Sequence, residues 1–177
     1  MKTLKLLPLI FLLSACAGHN DPVSQKDNSA DTVFTQSRVR TYARYYNGLD
    51  FKVVSLNLFS EGLSPDNDSL HNTGTNLYFS DIFIDTAATA IPAAEYALDS
   101  VPALHSALPA LYFDGLLTGS CLIRMRDGAV EDLTLFSGGK FSVSYDGDTA
   151  VMDFRLETAE KRTYHATYRG IPLYDKN

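Results

Sequence analysis

The side chains that could carry acid–base or metal chemistry are scattered along this sequence. Its four His are His19, His71, His105 and His165, and no two stand at metal-ligand spacing. Ser, His and Asp all occur, but there is no Gly-x-Ser-x-Gly elbow, and a triad assembled from them amounts to chance composition. Asp66-Asn67-Asp68 offers oxygen ligands for calcium without the downstream Gly and Glu of an EF-hand loop, so it reads as a solvated turn. Asp81, Asp85 and Asp114 are carboxylates that could pair for glycoside hydrolysis, but their spacing fixes no separation between them. Asp81 is the most informative of the three, because an acid inside the apolar run 77–85 has to be paired or face a cavity. A structural hydrogen bond is the simpler role for it. No catalytic residue, metal site or cofactor is therefore assigned. Binding is better supported: the chain has 10 Tyr and no Trp, and Tyr-rich β surfaces stack on sugars or grip peptides at small entropic cost. Tyr45, Tyr46, Tyr78 and Tyr112, with Tyr42 beside them and Asp81, form the candidate ligand-binding set, against the alternative that these tyrosines are core residues.

Cysteine chemistry is more specific. Lys2 and Lys5 form a short positive region, and Leu4 to Leu13 is an apolar run interrupted by Lys5 and Pro8, the layout of an export signal and too short for a bilayer span. The run ends in Leu13-Ser14-Ala15-Cys16, which resembles the lipobox of bacterial lipoproteins. That resemblance implies cleavage before Cys16, diacylglycerol on its sulfur, and anchoring by acyl chains with no helix crossing the membrane. It also implies that Cys121 has no partner, so no intramolecular disulfide is expected. Ala17 follows the Cys where an Asp would favour inner-membrane retention, which points to the outer membrane. The sparse acids behind it, Asp21 and Asp27, favour the surface face over the periplasmic face.

Charge narrows the partners. The sequence has 15 Lys and Arg against 21 Asp and Glu, a net charge of -6. Removal of residues 1–15 takes away two Lys and no acid, so the mature chain carries about -8. With no basic block, nucleic acid is not an expected partner, and anionic headgroups add nothing to the lipid anchor. Three segments follow: a signal peptide at 1–15, the lipidated Cys and a flexible polar tether at 16–40, and one β-rich domain at 41–177. Order could begin near Val33-Phe34, and the Val39/Tyr42 spacing leaves a short helix open.

The elements that must position the tyrosines read as strands. Phe51–Phe59 is rich in branched and aromatic residues and would pair with Tyr42–Tyr46 across the turn Asn47-Gly48. Residues 61–74 read as a long loop, 77–85 as a central strand covered on both sides, and 91–98 as a turn into a short edge strand. Residues 101–116 remain open between helix, loop and strand. Cys121, Ile123 and Met125 alternate with Arg124 and Arg126, which places the thiol inward. Residues 140–145 and 150–156 form a hairpin around Asp146-Gly147-Asp148, and Tyr164, Ala166 and Tyr168 alternate in a third strand.

The expected class is therefore all-β, an antiparallel β-sandwich or a calycin-like, partly closed barrel. Tyr45-Tyr46-Asn47-Gly48, Asn76-Leu77-Tyr78-Phe79, Ile91-Pro92-Ala93-Ala94-Glu95-Tyr96 and Gly139-Lys140-Phe141-Ser142-Val143 together resemble small β-rich lipoproteins of Gram-negative gut commensals. Ala94 stands where that family usually has Gly. The resemblance implies an envelope β-domain and no particular activity. The expected function is a lipid-anchored envelope protein that binds a glycan or protein partner. A structural subunit or assembly factor of a surface fibre is the alternative, and a small hydrolase is a third possibility.

Overall fold

The computed structural model describes residues 32–42, 48, 50–66, 69–113 and 116–175. All regular structure among them is β. The strands are β1 (Thr32–Tyr42), β2 (Lys52–Ser60), β3 (Leu63–Asp66), β4 (Ser69–Asn72) and β5 (Gly74–Ile84) in the first half. Then come β6 (Ala94–Leu98), β7 (Ser106–Ala107), β8 (Leu111–Phe113), β9 (Leu116–Thr118), β10 (Ser120–Arg126) and β11 (Ala129–Leu135). The C-terminal part holds β12 (Gly138–Asp146), β13 (Thr149–Glu157), β14 (Thr163–Gly170) and β15 (Leu173–Tyr174).

Eight strands close into a barrel in the order β5-β2-β1-β14-β13-β12-β6-β7, with β7 pairing back onto β5. Closure is partial, because β7 contributes only Ser106 and Ala107 to both of its neighbours. The chain is thus all-β and takes the barrel rather than the sandwich form. Most neighbours are antiparallel; β1 with β14 and β6 with β7 are parallel. The β10–β11 hairpin extends the sheet outward from the first half of β5, and β15 lies against β1.

β5 serves two neighbours by bending. Val54 opposes Ile82 and Leu56 opposes Phe79, so Ser80 and Asp81 together face the single residue Ser55. This bulge restores Ile82 and Ile84 to the core face and turns the strand from β10 toward β7. Ser80 secures it: its backbone N–H donates to the Gly119 carbonyl at 3.0 Å, and its Oγ accepts from the Gly119 N–H at 2.6 Å.

Aromatic rings fill the interior. Phe141 stacks with Tyr96 at a centroid distance of 4.8 Å and lies 5.0 and 5.2 Å from Phe79 and Phe154. Val39, Leu56, Leu58, Leu77, Met152, Leu156 and Ala166 complete the same buried cluster. The alternation expected for β12, β13 and β14 is present, with Phe141, Val143, Ala150, Met152, Phe154, Leu156, Ala166 and Tyr168 buried.

Several sequence expectations need correction. The segment 32–40, expected as tether and with a helix left open at Val39/Tyr42, is strand: β1 runs from Thr32, so the domain begins about nine residues before the expected boundary at 41. The first hairpin does exist, but its outgoing arm is Gln36–Tyr42 paired with Val53–Phe59, and residues 43–47 lie outside the described residues. The expected loop 61–74 contains the β3–β4 hairpin, because Leu63 and Leu70 pack on Phe59 and Met125 and offset the poor strand propensity of Ser, Pro and Asn. β6 is no edge strand; β12 and β7 flank it. Residues 129–135, for which no element was expected, form β11. Finally, Cys121 is buried, but its register against Tyr78 puts it on the face away from the barrel interior.

Candidate functional site

On the outer face of β1, β2, β5 and β10 the register builds two cross-strand rows. Residues directly opposed on neighbouring strands share a face. One row runs Arg38, Asn57, Tyr78, Cys121, and the next runs Phe59, Asn76, Ile123. Beyond β2 the chain doubles back through β3 and β4, and Pro65, Ser69 and Leu70 of that hairpin form a wall over these rows. The result is a cleft of about 320 Å³, with Arg40 as well as Arg38 on its β1 side.

The floor of the cleft carries an unmet hydrogen-bonding group. Asn76 is 3% exposed, and its Nδ2 donates to Asn57 Oδ1 at 3.2 Å. Its Oδ1 is buried with no partner. Reversing both amides would make Asn76 Nδ2 the unmet atom instead, so the deficit belongs to the site and not to the amide assignment. Phe59 and Ile123 flank Asn76 on the neighbouring strands and belong to the small apolar cluster with Leu63, Leu70 and Met125. A lone buried acceptor in such surroundings costs roughly 1–3 kcal/mol.

The two guanidinium groups are held in place. Asp175, brought to β1 by β15 and by its own N–H to the Val39 carbonyl, puts one carboxylate oxygen 2.6 Å from Arg40 Nε and the other 3.4 Å from Arg38 Nε. Arg38 and Arg40 can flank the same cleft because they sit at alternate positions of a strand, on the face opposite Val39 and Ser37.

Of the residues expected to bind ligand, Tyr78 lies in the cleft. Tyr112 is 68% exposed on the β8–β9 hairpin and does not line it. Asp81 belongs to the β5 bulge: its carboxylate accepts a hydrogen bond from Ser80 Oγ, and its carbonyl accepts from the Leu108 N–H at 3.0 Å. It too is outside the cleft. Tyr45, Tyr46, Asp114 and the lipidation candidate Cys16 lie outside the described residues, as do Asn67 and Asp68 of the calcium-like triplet. His71 does not line this cleft; it borders a shallow surface between the β2–β3, β4–β5 and β10–β11 turns, near Gly62, Thr73 and Asp127. His105 packs edge-on against Tyr96, with ring centroids 5.4 Å apart. Among the described residues no group of three His, Cys, Asp or Glu could hold a metal.

Sequence reasoning missed Arg38, Arg40, Asn57, Phe59 and Asn76. The signal for the arginines was the alternation Arg38-Val39-Arg40, which the polar composition of the preceding segment obscured. Asn57 and Asn76 were visible as the polar positions of strands that alternate, but nothing local shows that β3 and β4 cover them.

Cys121 completes the first row. It is a free thiol, 1% exposed, and burial pushes its pKa up from 9.0 to about 11. It is therefore an inert neutral group at physiological pH. The described lining of the cleft, two amides, two guanidinium groups, one phenol, Ser69 and an apolar surface that includes the Phe59 ring, has the chemistry of a binding site. No protein-family model, curated protein or solved structure matches the chain.

Proposed function

We propose that this chain is a lipid-anchored lipoprotein of the bacterial outer membrane whose β-barrel binds a ligand in the cleft outside β1, β2, β5 and β10. The observation that carries the binding half is the walled cleft itself, floored by Asn57, Asn76 and Tyr78 and flanked by Arg38 and Arg40. The anchoring half rests on Leu13-Ser14-Ala15-Cys16 behind a short apolar run. β1 starts at Thr32, so residues 17–31 separate Cys16 from the first strand. On this reading the surface face of the membrane is favoured over the periplasmic face.

The test is metabolic labelling of cells with an alkyne palmitate, comparing the wild-type chain with Cys16→Ala. Incorporation that depends on Cys16, with loss of intact protein on external protease treatment of live cells, supports a surface lipoprotein. Absence of label refutes the anchor, and label with full protease protection moves the protein to the periplasmic face.

The fibre-subunit reading is favoured by one feature, the outer edge of β11, which ends the sheet path with Val130, Leu133 and Leu135 exposed. Against self-pairing, Glu131 and Asp132 stand on that strand and would meet like charges in a second copy. Only monomer after crosslinking of intact cells removes this alternative.

A further inference from the structure

We propose that the β8–β9 hairpin seats in the surface of the membrane that holds the Cys16 lipid, with Leu111, Tyr112, Leu116 and Leu117 as the contact. This rests on the reading of Cys16 as lipidated and adds a second point of attachment. β8 and β9 pair with each other and, among the described residues, with no other strand. Their register puts Leu111 and Leu116 on one face of the hairpin and Tyr112 and Leu117 on the other. Leu111, Tyr112 and Leu116 are 60, 68 and 69% exposed, and Leu117 is half-buried. A hairpin that packs on one protein surface needs one apolar face, and this one has two. Entry into lipid covers both at once. Arms of three residues are far shorter than a membrane-crossing strand, so the contact is with the bilayer surface. Asp114, the one charged residue between Ala110 and Thr118 in the sequence, argues for the same depth. Tyr112 suits it, with a ring for the acyl boundary and a hydroxyl for the headgroups.

The lipid-bearing segment joins the domain at the same end of the barrel. Thr32 opposes Ala166, two residues along β14 from Tyr164. The Tyr164 ring lies 5.6 Å from that of Phe136, whose carbonyl accepts from the Ala110 N–H at 2.7 Å, and β8 begins at the next residue. Residues 17–31 can hold Thr32 no further from Cys16 than about 55 Å, whatever their conformation. A domain held from this end presents the hairpin to the bilayer. The base of the hairpin is fixed by the Gly119 bonds to Ser80 and by Ser120 Oγ donating to the Leu108 carbonyl at 2.7 Å, so seating it orders little that was free.

The chain has no Trp, so Tyr112→Trp places a single indole at the contact. The full chain, made in cells, is reconstituted with phosphatidylcholine–phosphatidylethanolamine vesicles, with and without acyl-brominated lipid. The expected result is a blue-shifted emission that the bromines quench. Ile171→Trp, an exposed position just beyond the opposite end of β14, should stay unquenched. Adding Leu111→Ser and Leu116→Ser to Tyr112→Trp should lower the seated-to-free ratio by about tenfold or more and bring quenching toward the Ile171→Trp level. The proposal is overturned if Tyr112→Trp is quenched no more than Ile171→Trp, if the Ser pair leaves quenching unchanged, or if the Ser pair prevents folding. A blue shift of Tyr112→Trp in the Cys16→Ala chain on concentration in buffer, unchanged by vesicles, would assign the hairpin to a second copy of this chain and overturn it as well. Palmitate on Cys16, read on the same samples, separates the two readings: label without quenching refutes the hairpin contact and keeps the anchor, and quenching without label refutes the anchor alone.

Discussion

Gly119 joins three parts of the barrel at one backbone position, and Gly119→Ala tests whether that junction is as tight as it looks. The residue sits at the neck of the β8–β9 hairpin with φ +83, bonded to Ser80 in both directions. A Cβ there would fall 1.9 Å from the Pro109 carbonyl oxygen and 2.5 Å from its carbon, both backbone atoms that cannot rotate away. The two segments would have to part by about 1 Å to reach even a tight contact. The left-handed backbone costs an L residue roughly 1–2 kcal/mol. Parting the segments also weakens the two bonds to Ser80, each worth about 1 kcal/mol net and more if its atoms stay buried and unpaired. The sum is about 3–5 kcal/mol. Gly128, in the turn between β10 and β11, is the control: its φ is +78 and a Cβ there meets nothing within 4 Å, so Gly128→Ala carries the backbone cost alone, about 1–2 kcal/mol. Urea unfolding of both variants at equal m-value gives the difference directly, expected at about 2–3 kcal/mol. A difference under about 0.5 kcal/mol would show that the neck relaxes freely and that the bulge of β5 is not braced from this side.

Other outcomes follow from the same structure. Phe141→Ala removes the ring that touches Tyr96, Phe79 and Phe154, and should cost about 3–5 kcal/mol in the same unfolding assay; a loss below about 2 would mean that the stack collapses to fill the hole. Cys121 contributes pH dependence. Its thiol ionises at about 11 in the fold against 9.0 ordinarily, so above pH 9 the unfolded chain binds fewer protons than the native one. The contribution is complete below pH 9 and is lost as pH rises to about 11, on the order of 3 kcal/mol, and Cys121→Ala should flatten that part of the pH–stability curve. The same thiol should resist iodoacetamide at pH 8 in the native protein and react fully in urea. Asp175→Asn frees Arg38 and Arg40 from a partly exposed ion pair, so it should change stability by no more than about 1 kcal/mol while altering any affinity measured in the cleft.

What could be read from the sequence was what alternation writes into it. β12, β13 and β14 bury one face each, and the residues that alternation turns inward are buried except Tyr145, exposed near the end of its hairpin, and the half-buried Tyr164. β11 escaped because six of its seven residues are exposed, so it has no buried face to produce a period. β3 and β4 escaped because Pro65 and the surrounding Ser, Asp and Asn argue for a loop, and only Leu63 and Leu70, folding onto Phe59 and Met125, reverse that. Asp81 was rightly flagged as anomalous in an apolar strand, but the cause, a bulge created where β5 changes partner, depends on segments some 25 to 40 residues away. The cleft was hidden for the same reason. Arg38, Asn57 and Tyr78 become neighbours through strand register, and register is a property of the assembled sheet.

The pairing of β1 with β14 sets the order in which the molecule can be made. Thr32 to Phe34 pair in parallel with Ala166 to Tyr168, and Arg38 and Val39 with Leu173 and Tyr174, so along one edge the first strand of the domain finds its partners at the far end of the chain. A polypeptide threaded from its N-terminus emerges with β1 exposed along one edge until nearly all of the domain has followed. Ribosomes add roughly 5–20 residues per second, so that edge stays open for many seconds, far longer than hairpins need to form. Truncation before Ala166 would remove the seam between β1 and β14 and leave the aromatic core without a wall, however well the earlier hairpins had formed.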